Sequence, residues 1–576
     1  MKTNLIFLTI ALFFVPIIYY SAFSSTENST ESSKKAAYRF VKCTAAKFIL
    51  NVADSTKQIA PLFEDLGNYS YKIDTKNGRA QQFFNQGMRL TFAFNHAEAH
   101  RSFMEASRLD KLAAMTFWGQ AYALGPNIND PQPDDERKKT YNEAMAKAKK
   151  LADNATARDQ ALINALSHRY STDLEKDVAE LNMAYMKAMG KVAMQYPNDA
   201  DVLVLYAASV MNTVPWNYWD KEGNPSPNIP EAKAALEKAM LINPDHPGAH
   251  HYYIHMVELP KPDLGVPSAE KLGALMPGAG HLIHMPSHIY IRVGRYQDAV
   301  RVNQEAILAD EDYISQCYSQ GMYPLGYYPH NIHFLWSAAS LLGDSGVAIE
   351  AAKKTAEKVP MGELVDLPFL QNFAATPLLA YTRFGKWNEI LTIPKPNDDL
   401  KHIKLIWHYA RGIAFTRKNN LVEAKEELDA LATLIDDPAL EELIATGFDS
   451  SKTIAQIAYE VVAGEMAAAG GDLERSIEHL TKAVEMEDAL IYNEPAAWYI
   501  PTRQNLGAVL LEANKFSEAE KVYREDLKKL RHNGWSLMGL YQSLLAQDKL
   551  MEAKKVKAEY DKAWKDADIT ISTSIL

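Results

Sequence analysis

Cysteine is nearly absent from this chain of 576 residues, which contains only Cys43 and Cys317. Two thiols form at most one bridge, so a disulfide-rich scaffold is excluded. A sustained run of basic residues is also missing, and the formal net charge is −11. Because nucleic-acid binding needs clustered lysine and arginine to neutralise phosphates, no nucleic-acid partner is expected.

Several catalytic motifs are missing as well. The sequence has no glycine-rich phosphate loop, no Gly-x-Ser-x-Gly elbow, no HExxH pair and no paired-cysteine zinc motif. Any catalytic function therefore depends on the histidines described below. Hydrophobic residues make up 47% of the chain, and alanine-rich segments such as YNEAMAKAKKLADNATARDQALINAL have a helical period, which predicts an all-α fold.

The N-terminus predicts export. Residues 5–23 are apolar and follow Lys2, and Ala22 and Ser24 have the spacing that signal peptidase prefers. We expect a periplasmic or cell-surface protein whose signal peptide is cleaved near Ser24. Retention of residues 5–23 as a membrane anchor is the alternative, and it is the only membrane contact that the sequence predicts.

Histidine is concentrated in one part of the chain. Nine of the 16 histidines lie between residues 246 and 333, where an even distribution would place about two. Three segments carry them at spacings of three, four or seven residues, which place side chains on one face of a helix. The first segment has His251, His255 and Glu258, the second has His281, His284 and His288, and the third has His330 and His333.

These eight residues are candidate metal ligands. Imidazoles with a carboxylate are the usual ligands of zinc, copper and non-haem iron. Since nitrogen donors outnumber carboxylates, copper or zinc is expected, with iron as a third candidate. One ion would use three or four of the residues, and the others could hold a second ion or orient the first ligands.

Internal repeats indicate how the segments are arranged. Residues 80–113 resemble one tetratricopeptide repeat (TPR), a pair of antiparallel helices, and the pattern continues in phase 34 residues later. The residues that match are Phe83, Gly87, Leu90, Ala99, Phe103 and Ala106, followed by Phe117 and Ala121. With weaker copies around Ala299, Gly464 and Gly507, the resemblance covers most of residues 79–565 and implies a helical solenoid, a superhelix of antiparallel helix pairs.

The resemblance also implies that the histidines face one groove. In TPR proteins, five positions of each repeat face the concave surface. If Ala299 is aligned with position 20 of its repeat, the second histidine segment occupies such positions. If Pro329 is aligned with position 1 of the next repeat, the third segment does so as well. Starting the preceding repeat at Pro247 does the same for the first segment, if the loop KPDLGVPS contains an insertion. Pro286 leaves two alternatives, since it either bends the second helix or begins it and leaves His281 and His284 on a loop.

Four runs are similar to a group of exported bacterial TPR proteins, a resemblance that implies the fold but no catalytic assignment. The runs are HMPSHIYIRVGRY, YYPHNIHFLW, YNEPAAWYIPTRQNLG and REDLKKLRHNGWSLMGL. The third run contains Glu494, Trp498, Tyr499 and Arg503, which could contact a ligand or close the groove.

His96 and His100, near a helix–helix turn, are interpreted as a capping feature rather than as a second ligand pair. Aromatic residues such as Trp216 are expected to fill gaps between helices.

Three functions fit these patterns. The first is an exported TPR binding protein with a histidine-rich metal site on its concave face. The second is a metal-free scaffold for protein–protein interaction in the cell envelope, with a protein or peptide in the groove. The third is a metal-dependent hydrolase or oxidase with an open coordination position and Glu258 as general base.

The predicted organisation has six parts. These are a signal peptide or anchor (residues 1–24), an N-terminal segment (25–78), N-terminal and central repeats with the histidine-rich inner face (79–392), a possible break (393–402), C-terminal repeats (403–565) and a tail (566–576).

Overall fold

A computed structural model of the protein describes residues 57–316 and 323–576, which form α-helices and no β-strand. The predicted signal peptide or anchor, Cys43 and Cys317 lie outside the described residues. Among the helices of the described ranges, none is long and apolar enough to cross a membrane. The all-α fold predicted from the sequence is confirmed.

Consecutive helices pack as antiparallel pairs, as in a TPR solenoid. The first ten are α1 (Gly78–Phe92), α2 (His96–Leu109), α3 (Ala114–Leu124), α4 (Asp135–Lys150), α5 (Ala157–Ser167), α6 (Val178–Gln195), α7 (Ala200–Met211), α8 (Ile229–Ile242), α9 (Pro247–Val257) and α10 (Pro262–Leu275).

The chain continues in the same way to its C-terminal end. The next helices are α11 (Gly280–His284), α12 (Pro286–Arg292), α13 (Tyr296–Gln316), α14 (Tyr328–Leu342), α15 (Ser345–Glu357), α16 (Phe369–Arg383), α17 (Trp387–Thr392) and α18 (Lys401–Arg417). They are followed by α19 (Leu421–Ile435), α20 (Ala439–Glu442), α21 (Ser451–Ala469), α22 (Leu473–Ala489), α23 (Thr502–Glu512), α24 (Phe516–Lys529), α25 (Gly534–Ala546) and α26 (Leu550–Ala563).

The repeat pattern has a steric basis. The buried ring of Phe103 lies against Gly87 of its own pair and Gly119 of the next, where an added Cβ would meet ring atoms at 2.5 Å in both cases. Near the C-terminus, Tyr523 lies in the same way between two glycines, Gly507 and Gly539. Large rings therefore fit only where the neighbouring helices have no side chain, which fixes the stacking of successive pairs.

One local expectation is wrong. Residues 261–268 were expected to form a loop with an insertion, but α10 already begins at Pro262 and includes Pro267. Pro262 occupies the first helical position, where the backbone N–H has no partner within the helix, whereas Pro267 lies inside the helix. The predicted break at residues 393–402 falls on a non-helical connection that ends where α18 begins at Lys401, and the buried core continues across it.

The C-terminal repeats close against the central ones. Trp535 of α25 donates its indole N–H to the carbonyl of Ser340 in α14 at 3.0 Å, and the hydroxyl of Tyr296 donates to the carbonyl of Arg531 at 2.8 Å. In the tail, the carboxylate of Asp568 accepts from the backbone N–H of Ser345 at 2.7 Å, at the start of α15. The C-terminal repeats therefore pack against the central ones.

Candidate functional site

The first histidine segment lies on α9, an inner helix that is buried along its whole length. His251 and His255 are one turn apart, and their Nε2 atoms are separated by 3.2 Å. The Nδ1–H of His251 donates to the carbonyl of Phe92 at 2.6 Å, which leaves its Nε2 with a free lone pair. Glu258 lies at the C-terminal end of the helix and is 1% exposed.

The second segment is helical on both sides of Pro286. Met285, which separates α11 from α12, has helical dihedral angles, and His281 and His284 lie on a helix rather than on a loop. His284 donates from Nδ1 to the Asn303 side chain of α13 at 2.6 Å, and its Nε2 lies 2.9 Å from Nε2 of His288. The alternative that places His281 and His284 on a loop is therefore wrong, although a helix does begin at Pro286.

The third segment is anchored to α13 through Asp310. This buried carboxylate accepts from the hydroxyl of Tyr323 at 2.6 Å and from the side chain of Asn331 at 2.7 Å. Burial raises the pKa of Asp310 to about 7. The contacts fix the start of α14, which carries His330 and His333.

Four helices, α9, α11, α12 and α14, bring these residues together. The potential ligand atoms of His251, His255 and His281 lie within 4.8 Å of one another, and so do those of His284, His288 and His330. We call these sets trio A and trio B. A third set, His255, Glu258 and His288, meets the same criterion and shares one histidine with each trio. His333 belongs to none of the sets found among the described residues.

Glu258 lies between the trios. Its Oε2 is 2.9 Å from Nδ1 of His288, and its Oε1 is 3.5 Å from Nδ1 of His255. Burial alone would raise the pKa of Glu258, but the charge of His288 and the hydrogen bonds of both histidines lower it to about 2. The same attraction outweighs burial for His288 and raises its pKa to about 9.

The remaining histidines of the trios are neutral at neutral pH. Burial, reinforced by neighbouring imidazoles, lowers the pKa well below 6.5 for His251, His281, His284 and His330. The pKa of His255 is also lowered by burial, against the opposing effect of Glu258. Neutral imidazoles carry the lone pair that a metal ion needs.

A chamber of about 820 Å³ opens on this cluster. His255 and His281 of trio A and His288 and His330 of trio B line it, whereas His251 and His284 lie behind them. Much of the remaining wall is aromatic or apolar, with Phe94, Trp216, Tyr327, Phe369, Phe373, Phe448 and Tyr499 among its residues. Such a volume fits a small organic molecule.

The C-terminal part of the chain supplies one wall of the chamber. Glu494 lies there with Oε2 at 3.3 Å from Nδ1 of His288, and burial raises its pKa. The ring of Tyr499 contacts that of His333 at 5.1 Å. By contrast, Arg503 forms an ion pair with Asp488, and Trp498 packs against Tyr409. Of the four residues predicted to contact a ligand or close the groove, Glu494 and Tyr499 therefore line the chamber, and Trp498 and Arg503 do not.

Three further residues change the interpretation of the sequence. Asn95, not His96, caps α2, and His96 lines the chamber with no hydrogen bond to either ring nitrogen. Trp216 does more than fill a gap, since it contacts the ring of His255 at 5.1 Å. Its indole N–H donates to Asn129, which in turn donates to the hydroxyl of Tyr327, so three separate segments meet at the chamber rim.

Comparison with known proteins adds little to this geometry. No protein-family model matches the sequence, and no curated protein matches it. Similar solved structures include a human IFIT1 dimer with m7Gppp-AAAA, at 13% identity and a TM-score of 0.33, covering 79% of this chain and 91% of that chain. The APC/C hetero-tetramer Cut9-Hcn1 matches at 13% identity and a TM-score of 0.29, covering 86% of this chain and 79% of that chain. Similarity at this level has no bearing on the ligand.

Proposed function

We propose that this protein binds a transition metal ion, copper or zinc, at the histidine cluster beneath the chamber. The observation that carries the proposal is the convergence of six histidines from four helices into two sets with ligand atoms within 4.8 Å. Six nitrogen donors beside one central carboxylate favour zinc or copper over hard cations such as magnesium or calcium.

The hydrogen bonds around the cluster support the same proposal. In metal sites, a histidine ligand donates its other ring N–H to a carbonyl or carboxylate, which fixes the ring. His251 does so to the Phe92 carbonyl and His284 to the Asn303 amide oxygen. Both ring nitrogens of His281 are buried and have no hydrogen-bond partner, which is costly in free energy unless a ligand such as a metal ion binds them.

Metal titration of the purified, tag-free protein tests the proposal. After removal of bound metal with a chelator, zinc or copper should bind at micromolar or lower concentration. The double variant H284A/H288A should take up less metal than the wild type, while H402A, which replaces a buried histidine bonded to Ser451, should retain the full uptake. Uptake that is the same in H284A/H288A and the wild type would contradict the proposal.

A metal-dependent enzyme, a hydrolase or an oxidase, is the second candidate, because the chamber gives a small molecule access to the histidines. Three protein ligands around one ion leave a position open for water or substrate, as in catalytic zinc sites. The general base would not be Glu258, which lies outside the chamber wall and is held by His288 and His255. Glu494 lines the chamber and has the raised pKa that suits a base.

A metal-free scaffold for protein–protein interaction is the alternative that the solenoid fold supports. It predicts a copurifying protein or peptide and no stoichiometric metal. A peptide bound in the chamber would contact His255, His281, His288 and His330, which line it. Export to the periplasm or cell surface, as in the bacterial TPR group with the HMPSHIYIRVGRY motif, is part of the proposal and is tested by fractionation of the native host.

A further inference from the structure

We infer that the cluster is a two-ion centre in which trio A and trio B each hold one metal ion and Glu258 joins them. This inference rests on the proposed metal-binding function and adds its stoichiometry and ligand assignment. The ligands are His251, His255 and His281 for one ion and His284, His288 and His330 for the other.

The two trios have the same construction. Each uses two histidines one helical turn apart, His251 with His255 on α9 and His284 with His288 across α11 and α12. The following inner helix supplies the third ligand in each case, His281 for trio A and His330 for trio B. Since no residue belongs to both trios, one ion does not remove a ligand from the other.

The nitrogen separations fit ligands of one ion. Zinc–nitrogen bonds of about 2.0–2.1 Å at a tetrahedral angle place two ligand nitrogens about 3.3 Å apart. The Nε2 atoms of His251 and His255 are 3.2 Å apart, and those of His284 and His288 are 2.9 Å apart. In both pairs only small ring movements separate the present geometry from coordination.

Glu258 faces the opposite side of both pairs. Its two oxygens lie at Nδ1 of His255 and Nδ1 of His288, so the Nε2 atoms of the same rings are directed into trio A and trio B. A carboxylate beside Nδ1 of a histidine ligand orients the ring and increases its basicity. One buried carboxylate thus positions one ligand of each ion.

The rival arrangement is a single ion held by His255, Glu258 and His288. That ion would bind the Nδ1 atoms, which face Glu258, and would not involve His281 or His330. The two arrangements therefore assign different residues to the metal, and variants at His281 and His330 distinguish them.

Elemental analysis of metal-loaded protein provides the test. Tag-free full-length wild type, H281Q, H330Q, H281Q/H330Q and the control H402Q are stripped, incubated with zinc alone, freed of excess zinc and analysed for zinc per chain. Glutamine keeps a polar side chain of similar length, and circular dichroism with thermal unfolding confirms that each variant is folded. In a second measurement, the same stripped proteins are titrated with cobalt, and site occupancy is followed by light absorption. This measurement does not require the ion to stay bound while excess metal is removed.

The expected contents are two ions in the wild type and in H402Q, one in each single variant and none in the double variant. One ion in every protein, with H281Q and H330Q unchanged, would overturn the two-ion inference and leave the proposed metal-binding function intact. No ion in the wild type would overturn both.

Discussion

The carboxylate of Glu258 lies 2.9 Å from Nδ1 of His288, although the two residues belong to different helix pairs. Glu258 directly follows the last residue of α9, and His288 lies on α12, with α10 and α11 between them in the chain. Their contact joins the first and second histidine segments at their centre. It is therefore the contact through which the two trios depend on each other.

Replacing Glu258 with glutamine should weaken both ions together. The amide keeps the size of the side chain but binds Nδ1–H less strongly, and loss of such a contact lowers metal affinity by about 10–100-fold. Isothermal titration with zinc should show this loss with an unchanged number of sites. A reduced number of sites in E258Q would instead make Glu258 a direct ligand.

Asn303 should act on one trio only. Its side-chain oxygen accepts from Nδ1 of His284 at 2.6 Å, while its amide donates to the carbonyl of Ala299 at 2.7 Å. N303L removes both bonds at a buried position, so we expect a loss of about 1–3 kcal/mol of stability and weaker binding at trio B. Zinc titration of N303L should show one site of wild-type affinity and one that is weakened. Equal weakening of both sites would contradict a role confined to His284.

A small change in the C-terminal repeats should destabilise the fold. An added Cβ at Gly539 would lie 2.1 Å from the ring of Tyr523. G539A should therefore lower the free energy of unfolding by about 1–3 kcal/mol, through overpacking. The matched control is G362A, because a Cβ there meets nothing within 4 Å. Chemical denaturation should show the loss in G539A alone, and equal stability of the two variants would contradict the packing account.

His402 provides a pH prediction away from the metal cluster. Burial lowers its pKa from 6.5 to about 3. Below pH 6.5 the unfolded chain binds a proton that the folded chain excludes, so stability is unaffected above this pH and falls as the pH decreases. One such group costs about 2–3 kcal/mol between pH 7 and pH 4.5. Between pH 7 and pH 4.5, the unfolding free energy of H402Q should fall by about 2–3 kcal/mol less than that of the wild type. An equal fall in the two proteins would contradict the lowered pKa of His402.

Much of the fold follows from local sequence patterns. The TPR resemblance depends on residues such as Gly87 and Phe103, which contact each other within one helix pair. The histidine rows are equally visible, because i, i+4 spacing on one helix needs no knowledge of tertiary structure. The prediction of a loop at residues 261–268 is wrong because proline is typical of loops, whereas Pro262 and Pro267 both lie in the first two turns of α10.

The neighbours of the histidines were harder to predict. Phe94 packs at 4.3 Å from the ring of His251 and 5.4 Å from that of His281, but it lies more than 150 positions earlier in the chain. Asn303 is one polar residue in a long amphipathic helix, and nothing in its spacing distinguishes it from its neighbours. Asn303 reaches His284 from the nearby helix α13, whereas Phe94 reaches the cluster only through contacts between distant repeats.

The most direct test of the central claim is elemental analysis of the tag-free protein purified from its native host without added metal. The account predicts copper or zinc in stoichiometric amounts, approaching two ions per chain and falling to about one in H284A/H288A. Protein that is isolated without transition metal and takes up none at micromolar concentration would contradict the account and favour the interaction scaffold.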